Sequence, residues 1–337
     1  MPPVEYVVNA NAPQSHDREI DLSIIVPVFN EQGNIPVLHQ ELDDVLKDIE
    51  GRCEILFVDD GSTDGSSEEL DELAAKDKRV KIIRFKRNYG QTSALSAGFK
   101  MCQGERIVTL DGDLQNDPAD IPKLLAMMDE GYDLVNGWRK ERQDHFWTRR
   151  LPSVAANKFI NKLIEGTTIQ LNDYGCTLKA YHRDIVKGLN IYGEMHRFIP
   201  VFAAWLGGRI TEIPVNHRPR VRGQAKYNLS RIPTVMLDLL VVRFFSDYMT
   251  RPIQFFGKIA MGVFLLGLFF TFLLLISLAL LDQNINWAAI TILLITVFIL
   301  CFQIVTMGLI GEMQIRSYFE GQKKDQYIIK EIIHGGS

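Results

Sequence analysis

Residues 107–115 read Ile-Val-Thr-Leu-Asp-Gly-Asp-Leu-Gln, an apolar run that ends in two carboxylates. A short apolar run with β-branched residues predicts a buried strand of an α/β sheet. Side chains at positions i and i+2 of an extended chain point to the same side, so Asp111 and Asp113 can face one ligand together. Gly112 between them lets that ligand approach the backbone closely. Because α/β proteins bind ligands at the carboxyl ends of such strands, this stretch predicts both the fold class and the position of a site.

The two carboxylates leave two interpretations open. Neighbouring carboxylates shielded from water repel each other unless a cation lies between them, and hard oxygen ligands suit a divalent metal ion. The alternative is a polar turn after the strand, which Asp-Gly commonly makes. An EF-hand calcium loop is disfavoured because the sixth position from Asp111 is Asn116 rather than Gly, and the twelfth is Pro122 rather than Glu. Other segments of the chain have to decide between a metal site and a turn.

Strand-like and helix-like segments alternate on both sides of this stretch. The predicted strands cover residues 20–28, 54–58, 80–85, the run that ends at Asp111, and 134–137. The predicted helices begin after Asn34 and cover residues 65–76, 92–102 and 118–130. This alternation predicts an α/β fold with a mostly parallel, doubly wound sheet. Past residue 140 the pattern loosens, which is typical of loops and helices that close one side of a sheet.

Two long apolar segments occupy the C-terminal part of the chain. Residues 259–281 contain no charge over 23 positions, and residues 287–311 form a second uncharged run of 25. At about 1.5 Å per residue, each is long enough to cross a hydrocarbon core of roughly 30 Å. Five residues, 282–286, join the two runs. The sequence therefore predicts two C-terminal transmembrane helices in a hairpin, with a helical hairpin buried in a soluble core as the alternative.

The charges around this hairpin predict its orientation. Lys and Arg precede the first run and follow the second, whereas the connecting loop contains neither. The positive-inside rule then predicts a multi-pass protein of the inner (cytoplasmic) membrane whose N-terminal domain is cytoplasmic. An amphipathic stretch before the hairpin predicts an interfacial helix, or else a soluble core helix. The predicted segments are a flexible lead (1–19), an α/β domain (20–228), an interfacial helix region (229–252), the transmembrane hairpin (253–311) and a cytoplasmic tail (312–337).

Composition and missing motifs exclude several classes of protein. The chain has 37 Lys and Arg against 41 Asp and Glu, so no charge imbalance points to a nucleic acid as partner. The first strand leads into Pro-Val-Phe-Asn-Glu (27–31), without the Gly-rich loop of a dinucleotide-binding or P-loop protein. The four cysteines have neither metal-ligand nor disulfide spacing. The strands carry carboxylates at their ends instead, which suit base N–H groups, ribose hydroxyls and, through a metal, a diphosphate.

Short motifs along the chain resemble those of one enzyme family, the inverting family 2 glycosyltransferases. The motifs that carry this resemblance are Pro27–Glu31, Val58–Asp64, Asp111–Gln115 and Gly137–Arg139. Asn172–Cys176 and His196–Pro200 narrow it to the polyprenyl-phosphate branch, similar to dolichyl-phosphate mannose synthase. The paired apolar runs make the chain most similar to the bacterial undecaprenyl-phosphate (bactoprenol) glucosyltransferases. The resemblance covers roughly residues 20–330.

This resemblance implies a GT-A fold for residues 20–228, a UDP-sugar donor, a polyprenyl phosphate acceptor, and Mg²⁺ or Mn²⁺ as cofactor. The residues then expected to hold the donor nucleotide are Pro27, Glu31, Asp59, Asp60, Asp111 and Gly112. Those expected to hold the metal and the diphosphate are Asp111, Asp113 and Gln115. Direct displacement at the anomeric carbon of an α-linked donor gives a β-linked product.

Basic and loop residues complete the expected site. The residues expected to bind the diphosphate or the acceptor phosphate are Arg139, Arg149, Arg150, Arg220, Arg222 and Lys226. A solvated basic loop is the alternative for the last three, and Ala225 stands where the family usually has Ser. Asp173, expected to be catalytic with Asp111 and Asp113, would act as a base or in positioning, unless it only caps a turn. His196 and Arg197 are expected to order a loop over the donor.

The sequence thus predicts transfer of a sugar, with glucose from UDP-glucose favoured, to undecaprenyl phosphate. The same reaction with GDP-mannose, UDP-N-acetylglucosamine or an aminoarabinose derivative stays open, as does a non-enzymatic nucleotide-sugar-binding membrane scaffold. A processive polysaccharide synthase is disfavoured because the chain lacks Gln-x-x-Arg-Trp. Two apolar helices leave much surface to cover, so a homo-oligomer, such as a tetramer, is expected. Residues 326–330 predict a strand that pairs with a neighbour, or else a frayed end.

Overall fold

A mixed sheet forms the centre of one of two structural units. The computed structural model describes residues 20–140, 171–193, 195–219 and 327–336, and single positions between 262 and 317. The first unit comprises residues 1–161, 167–226 and 327–337, and the second comprises residues 162–166 and 227–326. Every strand that the structure describes belongs to the first unit.

Strands and helices alternate along the first unit as the sequence predicts. The described elements are β1 (Leu22–Val28), α1 (Ile35–Leu46), β2 (Cys53–Asp59), α2 (Ser66–Lys76), β3 (Val80–Phe85), α3 (Gln91–Met101), β4 (Arg106–Thr109), α4 (Ile121–Asp129), β5 (Leu134–Trp138), β6 (Lys179–His182), α5 (Arg183–Gly188), α6 (Ile199–Trp205), β7 (Ile210–Pro214) and β8 (Ile329–His334). Short 3₁₀ turns cover Pro118–Asp120 and Met195–Phe198.

The sheet places the ends of β1, β2 and β4 side by side. Its strands lie in the order β7-β5-β6-β4-β1-β2-β3-β8. β1 is parallel to β2 and to β4, with Ile25 opposite Leu56 on one side and Thr109 on the other. β6 is antiparallel to β4 and β5, and β8 is antiparallel to β3. The remaining six of the eight described strands share one direction, which confirms the predicted mostly parallel sheet.

Both faces of the sheet are covered because its central strands are apolar on both sides. In β1, Ile24 and Val26 pack into one layer together with α1, α2 and α4, and Ile25 packs into the other layer with α3, α5 and α6. All three side chains are fully buried. Burial of a side chain of this size stabilises the fold by roughly 1.5–3 kcal/mol. A near-continuous apolar run is therefore what a doubly wound sheet requires.

The region after residue 140 corrects one prediction. Loops and helices were expected there, but β6 and β7 lie in this region and both belong to the sheet. β8 confirms that the tail forms a strand, although the strand begins three residues later than predicted, and its partner is β3 of the same chain rather than a neighbour. The frayed end, the alternative for this segment, is wrong.

The second unit is described only at single positions, all of them helical. At several of these positions large apolar side chains are exposed, among them Leu265, Phe269 and Ile292. Within the part of the chain that the structure describes, no helix has the length and apolarity needed to span a bilayer. The predicted lead (1–19), the interfacial helix region (229–252) and most of the predicted hairpin lie outside the described residues.

Candidate active site

Acidic residues follow three neighbouring parallel strands at the same edge of the sheet. Glu31 follows β1, Asp59 ends β2 with Asp60 after it, and Asp111 follows β4. Because β1 is hydrogen-bonded to both β2 and β4, these strand ends lie next to one another. The structure therefore brings together carboxylates that are up to 80 residues apart in the sequence (from Glu31 to Asp111).

Asp111 is half-buried and lies near two other carboxylates, those of Asp113 and Glu31. Burial, together with the charges of Asp113 and Glu31, raises the pKa of its carboxyl to about 7, while a hydrogen bond from Thr177 and the charge of Arg139 oppose the rise. One of its oxygens accepts a hydrogen bond of 2.7 Å from the side-chain amide of Gln91. The ionised form of Asp111 thus lacks sufficient positive charge from the described residues around it.

The backbone after Asp111 has an unusual conformation. Leu114 has φ of 62°, the left-handed region that a branched side chain seldom adopts, and its side chain is buried. The Asp113 carboxylate, also buried, accepts a hydrogen bond of 3.1 Å from the Gln115 N–H across this residue. The Gln115 carbonyl accepts the N–H of Arg218 at 2.9 Å. Backbone strain of this kind persists where the surrounding structure fixes a functional loop.

The chemistry of this loop fits a divalent cation. In the described portion of the chain, no three His, Cys, Asp or Glu side chains converge as a metal cage. What the loop offers is two carboxylates that repel each other, followed by the Gln115 side chain, a set of hard oxygen ligands. Mg²⁺ in nucleotide enzymes is usually bound through one or two carboxylates, with the remaining ligands coming from water and phosphate. Two carboxylates and one amide oxygen leave coordination positions open, so this set suits a metal that arrives with a diphosphate.

Asp59 lies inside the domain and supports the loop that follows β2. Its side chain has 0% exposure. One carboxylate oxygen accepts the Ser62 N–H at 2.9 Å, and the other accepts the Ser67 hydroxyl at 2.6 Å and the Arg84 Nε at 3.3 Å. With both oxygens engaged and no exposed surface, Asp59 holds this loop in place in the structure. Its contact with a nucleotide stays a prediction.

Asp60 fixes the entry to α3. Its two oxygens accept the backbone N–H groups of Tyr89 and Gly90 at 2.6 and 2.8 Å. Gly61 follows with φ of +70°, and a Cβ there would lie 2.4 Å from the Arg87 backbone. The close approach of these two loops therefore requires Gly at this position. Asp60 consequently joins the loop after β2 to the loop after β3 at the edge of the site.

Pro27, Glu31 and Gly112 line the same edge from β1 and from the loop after β4. The Glu31 carboxylate accepts a hydrogen bond of 2.8 Å from the Asn34 side chain, which precedes α1 without capping it. A Cβ added to Gly112 would lie 3.4 Å from the Pro27 carbonyl oxygen, so the loop after β4 passes close to the end of β1. The three residues expected to contact the nucleotide thus lie together.

Asp173 and Arg139 form a two-pronged ion pair. The Arg139 Nε and a terminal nitrogen donate to the two Asp173 oxygens at 2.7 and 2.9 Å, and both side chains are largely buried. A carboxylate held in this way by a guanidinium is a poor proton acceptor. Of the two roles left open for Asp173, this geometry favours positioning over proton transfer.

His196 lies in the second 3₁₀ turn and contacts α3. Its Nδ1 is 2.7 Å from the Thr92 hydroxyl. Burial, with the nearby charges of Arg197 and Lys179, lowers the pKa of His196 to about 3, so the imidazole is neutral at neutral pH. It therefore packs the turn that carries Arg197 against α3, as expected for a loop-ordering residue.

Sequence reasoning missed one buried cation beside this site. Lys179, at the start of β6, is 2% exposed, and its ammonium donates to the backbone carbonyls of Tyr174, at 3.3 Å, and Cys176. Burial lowers its pKa to about 8. It thereby ties down the loop that holds Asp173. The sequence did contain a signal for this role, a Lys within a short apolar segment. Burying an unpaired charge is costly, so such a Lys is expected to have polar partners.

The remaining basic residues lie outside the described part of the chain. These are Arg149, Arg150, Arg220, Arg222 and Lys226. The nearest described residue before the second group is Pro219, preceded by Arg218, which pairs with Glu41 and Asp117 at 2.7 Å each. The backbone N–H of Arg218 donates to the Gln115 carbonyl, which holds Arg218 beside Gln115. Arg220, the first residue of the second basic group, follows Arg218 by two positions in the sequence.

Comparisons with known proteins agree with this architecture. Residues 23–189 match the family described as Glycosyl transferase family 2. The dodecaprenyl-phosphate galacturonate synthase of Rhizobium johnstonii is 36% identical over 322 residues, covering 94% of each chain. The undecaprenyl-phosphate 4-deoxy-4-formamido-L-arabinose transferase of Klebsiella pneumoniae is 37% identical over 317 residues, covering 93% of each.

A solved structure has the same fold. Glucosyl-3-phosphoglycerate synthase from Mycobacterium tuberculosis superposes with a TM-score of 0.53 at 17% identity, over 66% of this chain and 80% of that one. A mostly parallel sheet of the GT-A type, with acids at its carboxyl edge and relatives that act on sugars, defines a glycosyltransferase. The chain belongs to glycosyltransferase family 2.

Proposed function

We propose that this enzyme transfers a sugar from a UDP-sugar to the phosphate of a membrane polyprenyl phosphate, with inversion at the anomeric carbon and release of UDP. The observation that carries the proposal is the loop after β4. There Asp111 and Asp113 face the same edge of the sheet with too little positive charge around them. The metal ion that accompanies a bound diphosphate would supply the positive charge that these two carboxylates lack.

A bound Mg²⁺ or Mn²⁺ would be held by Asp111, Asp113 and Gln115, and it would neutralise charge on the departing UDP. The Mycobacterium tuberculosis synthase has been solved with Mn²⁺ and UDP, which supports this choice of cation. Pro27, Glu31 and Gly112 would contact the nucleotide directly. Asp59 and Asp60 would support it by holding the two loops described above.

The acceptor needs orientation more than deprotonation. A phosphomonoester has its second pKa near 6, so a lipid phosphate is mostly dianionic at neutral pH and is already nucleophilic. Arg139, fixed by Asp173, would aim this phosphate, assisted by the basic residues Arg149, Arg150, Arg220, Arg222 and Lys226. No proton acceptor is required, which is consistent with a paired Asp173 and a neutral His196. The names of the two relatives support a polyprenyl phosphate as acceptor.

Glucose from UDP-glucose is the donor that the motifs favour. A second candidate comes from the relatives, which are named for galacturonate and for 4-deoxy-4-formamido-L-arabinose. Galacturonate differs from glucose at C4 and by a carboxylate as C6, and the arabinose derivative differs at C4 and lacks C6. The residues that contact the sugar would therefore decide which donor is used. The nucleotide and metal parts of the proposal are the same for all three.

The acceptor's tail requires the enzyme to work at a membrane, because each buried CH₂ contributes roughly 0.8 kcal/mol to keeping the tail in lipid. The two uncharged runs at 259–281 and 287–311 would anchor the protein, and the segment 229–252 would lie at the interface. Exposed apolar side chains at helical positions such as Leu265 and Ile292 support lipid contact there. A cytoplasmic catalytic domain and a homo-oligomer remain predictions.

The test is transfer by the full-length protein in bilayers that contain undecaprenyl phosphate. Radiolabelled UDP-glucose, UDP-galacturonic acid and UDP-4-deoxy-4-formamido-L-arabinose would each be supplied with Mn²⁺ or with EDTA. The proposal expects label from one donor in the organic-extractable product, with Mn²⁺ only. Binding of UDP without transfer from any donor would favour a non-enzymatic scaffold.

A further inference from the structure

The strand that follows the two apolar runs is part of the nucleotide-binding sheet. β8 pairs with β3 in antiparallel register, with Glu331 opposite Arg84. Just before β8, the Tyr327 ring stacks on Phe85 of β3, with centroids 4.8 Å apart and an angle of 16° between the planes. The C-terminal residues are therefore built into the first unit.

Arg84 connects this strand to the interior of the site. Its side chain is largely buried, and its three nitrogens donate to four acceptors. These acceptors are Glu331 Oε1 at 2.5 Å, Asp71 Oδ1 at 2.8 Å, the Ser67 carbonyl at 3.1 Å and Asp59 Oδ2 at 3.3 Å. A guanidinium is planar with fixed donor directions, so moving one acceptor changes its alignment with the others.

Asp59 transmits that alignment to the loop at the edge of the site. Its second oxygen holds the Ser62 N–H, and the Ser62 hydroxyl accepts the Asn30 N–H at 3.1 Å. Asn30 has φ of 55° and immediately precedes Glu31. The contacts thus run from Glu331 through Arg84 and Asp59 to the loops that carry Asp60 and Glu31.

We infer that Arg84 is a positioning residue for the nucleotide site, and that Glu331 on the C-terminal strand sets its orientation. The inference rests on the proposed function in taking these loops as the nucleotide contacts. It assigns the tail a part in donor binding, although the tail lies more than 200 residues after the motif Asp111–Gln115. Neither residue touches the nucleotide itself.

The proposal predicts an effect on donor binding rather than on the transfer step. In full-length protein, Glu331→Gln keeps the shape of the side chain and removes its charge. We expect the Kd of UDP with Mn²⁺ and the KM of the donor sugar to rise by about threefold to tenfold, the scale of one weakened charged hydrogen bond. The kcat should stay within about twofold, because the residues expected at the reacting groups are unchanged. Calorimetry and steady-state kinetics measure the two quantities.

A second variant separates this role from a general loss of stability. Arg84→Lys keeps the positive charge but removes the planar guanidinium with its several donors, so it should raise the Kd of UDP. The Kd of the double variant should be no higher than that of Arg84→Lys alone. Glu72→Gln is the matched control, since Glu72 is an exposed acid on α2 that pairs only loosely with Lys76, at 3.7 Å. It should leave the Kd and the KM unchanged.

Several outcomes would overturn the inference. One is a Glu331→Gln variant that binds UDP as tightly as the unmodified protein. Another is additive effects in the double variant, which would mean that Glu331 and Arg84 act independently. If the unmodified protein binds no UDP, the proposed function fails instead, so the two failures are distinguishable.

Discussion

At the scale of single residues, Asp113 should show opposite effects on activity and stability. Asp113→Asn removes one of two repelling carboxylates and one metal ligand, so transfer should fall by at least about 100-fold. Without metal at pH 8, the same variant should be more stable by about 1 kcal/mol, because Asp111 then ionises without the negative charge of Asp113 beside it. Transfer assays and urea unfolding measure the two effects. Retained turnover would contradict the metal role of Asp113.

Asp111 predicts how pH acts on the metal-free protein. An unfolded Asp has a pKa of about 3.9, and burial beside Asp113 raises that of the folded protein to about 7. Protonated Asp111 therefore stabilises the folded protein. This stabilisation is fully present below a pH of about 4 and is lost as the pH rises through 7. Because a metal needs the ionised acid, Mn²⁺ affinity in the presence of UDP should rise by up to about tenfold per pH unit towards 7 and then level off. Calorimetry between pH 5 and 8 tests this, and Asp111→Asn should flatten the profile.

The residues that bear charge at the site were predictable, but their partners were not. Asp111, Asp113 and Gln115 stand within five consecutive residues, so the motif itself keeps them close, although they form a turn after β4 rather than part of the strand. The pairs Arg139–Asp173 and Arg84–Glu331 are separated by 34 and 247 residues, and only the folded sheet joins them. For the same reason the buried role of Asp59 could not be read from its motif.

At the scale of elements, the prediction succeeded where local pattern and tertiary packing agree. β1 to β5 lie within about two residues of the predicted strands at the start of each, because they are apolar runs bounded by turns. β6 reads Lys-Ala-Tyr-His, and β7 ends in Pro, so neither has a strong strand pattern. Both form because β4 and β5 offer edges with which they can pair. This pairing depends on residues distant in sequence, so a local sequence pattern cannot predict it.

β6 and the loop before it provide a prediction at this scale. Lys179→Met fills a similar volume but removes the ammonium that holds the Tyr174 and Cys176 carbonyls. We expect the free energy of unfolding to fall by about 1–3 kcal/mol, which is the cost of leaving buried polar groups without a partner. The kcat should fall as the loop carrying Asp173 loosens. Chemical denaturation and kinetics test this, with Lys187→Met on the exposed side of α5 as the control. A variant as active and as stable as the unmodified protein would remove this role from Lys179.

At the scale of the whole molecule, the two structural units predict separable activities. Replacing residues 227–326 by a flexible Gly/Ser linker keeps every described strand, β8 included. This protein should still bind UDP with Mn²⁺, because the nucleotide site belongs to the first unit. Its transfer to undecaprenyl phosphate in bilayers should be lost, because the proposed anchor is absent. Undiminished transfer in bilayers would refute the anchoring role of the replaced segment.

A second shortened protein is the control. Ending the chain at residue 326 keeps the second unit but removes β8 and its Glu331. UDP binding should then weaken more than in the linker protein, although far fewer residues are deleted. Equal UDP affinity in the two proteins would mean that β8 contributes nothing to the nucleotide site.

The position of β8 also determines when the enzyme can finish folding. Its residues leave the ribosome after both apolar runs have been synthesised. Until then β3 has an open edge and Arg84 lacks its outermost acceptor. Completion of this sheet therefore comes after the proposed anchor has emerged from the ribosome. We expect a nascent chain to meet the membrane before its proposed nucleotide site is complete.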